Sequence, residues 1–355
     1  MSANRSAEKP AKKLTNKLTR HFAYAEESTL DDSFRLTGFI QSHSISHIPV
    51  LFEPVLLSLK AMNKSSPIIV DATLGEGGHS RGMLRLLPNA TIIGFDQDTE
   101  MIERARSRFI EDGFDLAQNP TIGKVCIVRA RFSEVTTYLT SQNLLADFVL
   151  VDLGVAMFHF DAAKRGFSFR DTALDMRLDE RLVMTAADVI NSYTENELSR
   201  ILFEYGEERM SRQIASRIVA NRPIKSASEL TDIVLSVLIR RRDRSSKRGF
   251  IKDSDAAKVF QAIRIEVNSE LDQIKSLLAD LPVILAQNGR AAFISFHSIE
   301  DRLVKHGFQN LVKSKFEVLT RKPILPNSTE IDLNLASRSA KLRVIQKSNT
   351  RNEAI

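Results

Sequence analysis

From residue 46 onward the chain alternates short apolar runs with stretches in which apolar residues recur at helical spacing. The runs at 67–72 (PIIVDA), 91–96 (TIIGFD), 124–129 (KVCIVR) and 147–153 (DFVLVDL) predict buried strands, with helices near 78–87 and 98–111. Alternation of this kind predicts βα units around a parallel sheet, half of a doubly wound α/β fold. It then stops. From about 158 to 257 no strand is predicted, while "TENELSRILFEYG", "EERMSRQIASRIVAN" and "SASELTDIVLSVLIRRR" are helical, with Ile214, Ile218 and Val219 on one face of the second. Beyond it, "AAKVFQAIRIEVNSELDQIKSLLADLPVIL" predicts one long amphipathic helix and "NGRAAFISFH" a turn and a buried strand. A helix over "SIEDRLVKHGFQNL" and a closing strand pair, "KFEVLT" with "AKLRVIQKS", complete the pattern. The expected organisation is a basic, disordered arm over 1–45, a sheet domain made of 46–157 and 258–346, and an all-helical insert over 158–257.

Composition narrows the function classes. A chain of 355 residues that is 43% hydrophobic can bury two unequal cores. Its longest apolar runs stop short of the ~18 residues that span a bilayer. One cysteine, Cys126, excludes an intramolecular disulfide and a cysteine-rich zinc site, which points to a reducing compartment and a cytoplasmic location. No apolar segment follows the basic start, so a secretory signal is not expected. Residues 1–25 are poor in acid and contain Ser, Thr, Lys and Arg, so a mitochondrial transit peptide is the alternative, opposed by the excess of Lys over Arg. The net charge of +6 is unevenly placed. Residues 1–21 carry six basic side chains against Glu8, and "RRRDRSSKRGFIK" (240–252) carries seven against Asp243. Such blocks attract polyanions or are simply solvated.

The candidate chemistry centres on "DATLGEGGHS" (71–80), where the first predicted strand meets its helix. Gly75, Gly77 and Gly78 permit positive φ and close approach of a ligand to the backbone, and the helix start offers free N–H groups. The order G-E-G-G-H is not dinucleotide spacing. Asp96 closes the second strand 19 residues after Gly77, where a carboxylate can accept from both ribose hydroxyls. Asp71 and Glu76 would repel a pyrophosphate and tolerate a sulfonium and an amino group, which tilts the cofactor toward S-adenosylmethionine. Phe132 is placed to stack near an adenine, with core packing as the alternative. Asp152 ends an otherwise apolar strand at the sheet edge where such folds place their sites.

Taken in order, "HIPVLFEPVL", "DATLGEGGHS", "GFDQD", "VDLGV", "RGFSFRDTALDMRLD", "NSYTENELSRILFEYGEER", "VFQAIRIEVNSEL", "SFHSIEDRLVK" and "RSAKLRV" resemble the bacterial small-subunit ribosomal RNA cytosine-N4 methyltransferase family over roughly 46–346. The resemblance implies a Rossmann-like methyltransferase sheet interrupted by a helical domain. It implies methylation of the exocyclic amine of a cytidine, with S-adenosylmethionine as donor and small-subunit ribosomal RNA or an assembling small subunit as partner. By motif position it implies Gly77, Gly78, His79, Asp96, Phe132 and Asp152 as cofactor residues. Where the family reads "DLGVSSPQLD" this chain has "DLGVAMFHFD", so His159 stands in place of a glutamine near the cofactor. "DTA" replaces "DGP" before "LDMR", and "SDAA" replaces the His-Pro before the "FQAIR" helix.

A cytosine amine is a weak nucleophile because its lone pair is delocalised, so in-line methyl transfer needs alignment and an acceptor for the N–H; Asp152 or the carbonyls of 153–156 are the candidates. Carbon-5 methylation would need a thiolate, and Cys126 lies inside an apolar strand. "FHFDAAKRGFSFR" interleaves phenylalanines with Arg165 and Arg170, the pair expected to hold RNA phosphates, while at least two of the rings are expected in the insert core. His297 and Ser298 are expected to line the site or cap a strand-to-helix junction rather than form a hydrolase pair. His43 and His47 have helical metal spacing but precede Pro49 in a Ser-rich stretch, and no metal is expected. Two rivals remain: a nicotinamide-dependent oxidoreductase, opposed by the glycine spacing, and a catalytically silent RNA-binding or ribosome-assembly protein on the same fold. The oligomeric state, homodimer included, is not fixed by these patterns.

Overall fold

A computed structural model describes residues 48–161, 164–244 and 252–348. The basic arm with His43 and His47, and most of the 240–252 segment's second half, lie outside the described residues. The chain divides into two compact units, one running to Gly154 and resuming at Gln273, the other Val155–Asp272.

In the first unit, helix α1 (Phe52–Lys60) leads into β1 (Ile68–Asp71), α2 (Gly78–Leu86), β2 (Thr91–Asp96), α3 (Thr99–Glu111), β3 (Leu116–Ala117), β4 (Val125–Arg129), α4 (Val135–Ser141) and β5 (Ala146–Asp152). After the second unit the sheet resumes with β6 (Leu285–Ser295), α12 (Ser298–Leu311), β7 (Phe316–Val318), α13 (Ser328–Leu333) and β8 (Lys341–Lys347). The eight strands run in the order β3-β4-β2-β1-β5-β6-β8-β7. β1, β2, β4, β5 and β6 are parallel, and β8 runs antiparallel to both β6 and β7. The central strands are apolar on both faces because helices cover both, so they read as continuous hydrophobic runs rather than as alternation. Ile69, Val70, Ile92, Ile93 and Phe148 to Val151 are fully buried accordingly. At the opening edge, Asp147 ties β5 to β1 by accepting from the Ile68 N–H at 2.8 Å and from Lys64 Nζ at 2.6 Å. Arg81 and Arg85 of α2 converge on Asp112 at the end of α3, at 2.6 and 2.8 Å.

The second unit holds α5 (Met157–Asp161), α6 (Ala186–Ser192), α7 (Glu195–Glu204), α8 (Ser211–Ala220), α9 (Ala227–Arg244) and α10 (Ala257–Asn268), with no strand among the described residues. Leu198, Ile201, Ile214, Ile218, Leu230 and Ile263 belong to one buried cluster. The "LDMRLD" stretch is an irregular segment fastened by its own charges and by α10. Arg177 is forked on Asp175 and Arg181 on Asp179. Asn268, 1% exposed, accepts from the Leu178 N–H and donates to the Met176 carbonyl, both at 2.8 Å.

The single helix expected over 256–285 is two. α10 ends at Asn268, Ser269 adopts a left-handed φ of 50°, and α11 spans Glu270–Ile284. The apolar period continues across the break, but Asn268 directs its amide to another segment and Arg264 folds onto Glu270 at 2.7 and 2.9 Å, closing the junction. α10, expected with the sheet domain, clusters with the insert, and the second boundary falls inside α11 at Asp272 instead of at 257.

Candidate active site

Strand order reverses at β1, with β2 on one side and β5 on the other, and open α/β sheets leave a crevice at the carboxyl ends of strands at such a point. Asp71, Asp96 and Asp152 are the last residues of β1, β2 and β5. The connection from β1 to α2 turns tightly, with Leu74 N–H on the Phe95 carbonyl and Gly77 N–H on the Leu74 carbonyl, both 2.8 Å. Gly77 takes φ 77° at the start of α2, and a Cβ there would stand 2.9 Å from the Phe109 ring. Only glycine meets both the torsion and the space. Gly78 opens α2 directly behind it.

The carboxylates are held by backbone. Asp96 accepts from Gly75 N–H at 2.8 Å through one oxygen and from Asp98 N–H at 2.9 Å through the other. Asp71, 2% exposed, accepts from Ser80 Oγ at 2.6 Å and Thr73 N–H at 3.3 Å, and burial pushes its pKa up to about 6. Thr73 Oγ1 in turn accepts from Asp152 N–H at 2.7 Å, which ties the end of β5 to the turn. Asp152 Oδ1 is buried with no hydrogen-bond partner among the described residues. Burial, followed by the charges of Asp71, Glu300 and Glu330, raises the Asp152 pKa well above the ordinary carboxylate value. His79 lies beside it, Nδ1 3.8 Å from Asp152 Oδ2, and its Nε2 donates to the Val50 carbonyl at 2.9 Å. Phe132 is buried in a short turn after β4, two residues beyond Ala130, whose N–H is held by the Asp96 carbonyl.

Other expected residues are put to different uses. Glu76 turns away to Arg108 at 2.9 Å and Arg104 at 3.6 Å, so it pins the glycine turn to α3. Cys126 is buried in β4 against the Gln118 carbonyl and the Tyr138 hydroxyl, both at 3.4 Å. His297 caps α12, its Nδ1 accepting from Glu300 N–H at 3.3 Å, while Glu300 Oε2 accepts from Phe296 N–H at 2.8 Å. Within the second unit, His159 is buried in α5 with the Phe158 and Phe167 rings 5.9 and 5.3 Å away. Phe167 is in the core and Phe169 packs edge-on against Phe260 at 5.0 Å. Arg165 lies over the Phe167 ring at 5.8 Å. Arg170, expected to hold phosphate, is forked on Asp253 at 2.6 and 2.7 Å and bonded to Asp232 at 2.7 Å.

Thr73, Ser80, Glu300 and Glu330 escaped the sequence reading. Glu300 and Glu330 each sit three residues into a helix start, where a carboxylate reads as a cap. Only the tertiary fold brings their charge to bear on Asp152.

Known proteins resemble this chain over most of its length. The ribosomal RNA small subunit methyltransferase H of Trichormus variabilis is 42% identical over 309 residues, 87% of this chain and 94% of its own length. Its counterparts of the same name in Pseudothermotoga lettingae and Thermosipho africanus are 37% and 40% identical, each over 85% of this chain and 99% and 97% of their own. Among solved structures, a methyltransferase homolog protein from Pyrococcus horikoshii is 12% identical, covering 97% of this chain and 83% of its own at a TM-score of 0.40. The model of the MraW methylase family matches residues 44–348, from just ahead of α1 to the end of β8. With that span and that identity, the chain belongs to the MraW methylase family.

Proposed function

We infer that this chain is an S-adenosylmethionine-dependent methyltransferase that modifies N4 of a cytidine in small-subunit ribosomal RNA, as RNA or within an assembling small subunit. The observation that carries the reading is the set of three strand-end carboxylates around the glycine turn, with Asp152 Oδ1 buried and unpaired among the described residues. A cluster so rich in negative charge suits a ligand with cationic sulfur and ammonium groups and opposes a pyrophosphate, which disfavours the nicotinamide alternative.

The donor supplies a methyl group on a positively charged sulfur. Asp96 keeps its backbone bonds and has lone pairs left for the two ribose hydroxyls. Gly77, Gly78 and the His79 backbone border the donor at the start of α2, and Phe132 offers a face for its adenine. Asp152 accepts from the cytidine N4–H, orienting the amine for in-line attack and drawing electron density into its lone pair. Arg165 of the insert is assigned to RNA phosphate. Arg170, already satisfied by two aspartates, is assigned to holding the insert together.

The test uses purified protein, small ribosomal subunits lacking the modification and tritiated S-adenosylmethionine, with the labelled nucleoside identified by mass spectrometry. N4-methylcytidine that falls by about 10²-fold or more in Asp152→Ala is the expected result. Tight donor and RNA binding without methyl transfer would instead favour the silent assembly protein.

A further inference from the structure

The His79 ring is held in a way that decides its tautomer. Its Nε2 lies 2.9 Å from the Val50 carbonyl oxygen, and a carbonyl only accepts, so Nε2 carries the proton. In the neutral ring Nδ1 is then a lone pair, and it faces Asp152 Oδ2 at 3.8 Å. Two acceptors opposed in a buried site repel one another unless a proton lies between them. The surroundings maintain this arrangement. The peptide joining Val50 and Leu51 is gripped at both ends, its carbonyl by His79 and its N–H by Glu330 Oε1. Leu51 holds a left-handed φ of 53°, a torsion that a branched residue rarely adopts without such restraint. Phe52 covers the ring from 6.3 Å.

The charges of carboxylates from three further elements act on Asp152: Asp71 at the end of β1, Glu300 on α12 and Glu330 on α13. His79 on α2 is the basic side chain within ion-pair distance of it among the described residues. Burial and these neighbours both disfavour an isolated negative charge at Asp152.

We propose that His79 and Asp152 form a dyad sharing one titrating proton, in which His79 is the positioning partner that receives, through Asp152, the proton leaving the cytidine amine. This rests on the methyltransferase reading above. The balance is closed within the site. Cytidine N4 forms a bond to the methyl carbon with its lone pair, and the methyl–sulfur bond breaks with both electrons left on sulfur. The N4–H bond then breaks with its electrons retained by nitrogen, and the proton passes to Asp152 and is shared with His79 Nδ1. The dyad begins the step as carboxylate and neutral imidazole, and transfer therefore falls as pH drops below its apparent pKa, which belongs to the pair rather than to either residue.

Two measurements test the dyad. In the donor-free protein, 15N NMR of His79 through its titration is expected to show the Nε2–H tautomer, with a midpoint that falls by about one pH unit or more in Asp152→Asn. An Nδ1–H tautomer, or the same midpoint in both proteins, would overturn the proposal without reference to activity. The second uses His79→Gln, which keeps an N–H donor for the Val50 carbonyl and cannot take a proton. Unchanged binding of adenosylhomocysteine, a single-turnover rate reduced about 10²-fold and loss of the acid limb of its pH profile are expected. A wild-type rate and profile would sink the dyad while leaving the methyltransferase reading intact, and weakened adenosylhomocysteine binding with the rate restored at saturating donor would make His79 a cofactor ligand and sink it equally. If wild-type protein forms no N4-methylcytidine, the functional reading fails, and the NMR result still decides the dyad.

Discussion

Arg165 and Arg170 lie five residues apart in one basic, aromatic stretch, and their neighbours separate them. Arg170 is half exposed, yet its guanidinium donates to Asp253 and Asp232, and these hydrogen bonds raise its pKa and hold its geometry. A guanidinium forked on two carboxylates has few donors left for a phosphate. Arg165 rests on the Phe167 ring and donates to the Arg177 carbonyl at 3.4 Å. On the assignment of Arg165 to RNA phosphate, Arg165→Ala should weaken RNA binding and lower the slope of log affinity against log salt by about 1. Arg170→Ala should leave that slope unchanged and lower the thermal midpoint of the insert. Fluorescence anisotropy across a salt series separates the two, and a reduced slope for Arg170→Ala would show that its aspartates release it to RNA. Side-chain type is written in the chain, but the carboxylates 62 and 83 residues away are brought to it only by folding.

At the scale of elements, packing of the insert helices depends on a close approach at Gly206, just beyond α7. A Cβ there would lie 2.5 Å from the Lys258 carbonyl oxygen on α10 and 2.8 Å from that of Leu202, and neither is a side chain that can swing aside. Gly206→Ala should destabilise the protein by about 1–3 kcal/mol, read as a lower urea midpoint at constant m value. An unchanged midpoint would mean that α7 and α10 separate at little cost. Elements were legible in proportion to their length and burial. β1, β2, β4 and β5 announce themselves as apolar runs bounded by turns, whereas β3 has two residues and α13 six, too few for a period to register. The division of α10 from α11 was hidden for the opposite reason: the apolar face continues through a break that depends on Asn268 reaching Met176 and Leu178.

For the molecule as a whole, buried carboxylates set a pH dependence opposite to that of ion-paired ones. Burial raises Asp71 to about 6 and Glu330 to about 7, so the fold holds protons that the unfolded chain has already released. Their stabilising contribution is complete below about pH 4 and is lost as pH rises through 6 and 7. Asp175 and Asp301, lowered by their arginines, act in the other direction and are lost only as pH falls below about 4. Stability of the donor-free protein should therefore decline from about pH 4 to 7, with Asp71 contributing on the order of 3 kcal/mol over that span. Asp71→Asn should flatten much of the decline, and added S-adenosylmethionine should oppose it, because a cation favours the ionised forms. Thermal melts across this range check both, and a flat wild-type profile would show that these carboxylates remain ionised in the fold. The glycine turn, the aspartates at 71, 96 and 152 and the helical insert were all readable from the chain, because turn torsion, strand burial and helical period are local properties. What tertiary structure alone decided was the company each charge keeps: Glu76 on α3, Arg170 on Asp253, and Glu300 and Glu330 toward Asp152. Electrostatic energy depends on distance and burial, and both are set by elements far apart in sequence.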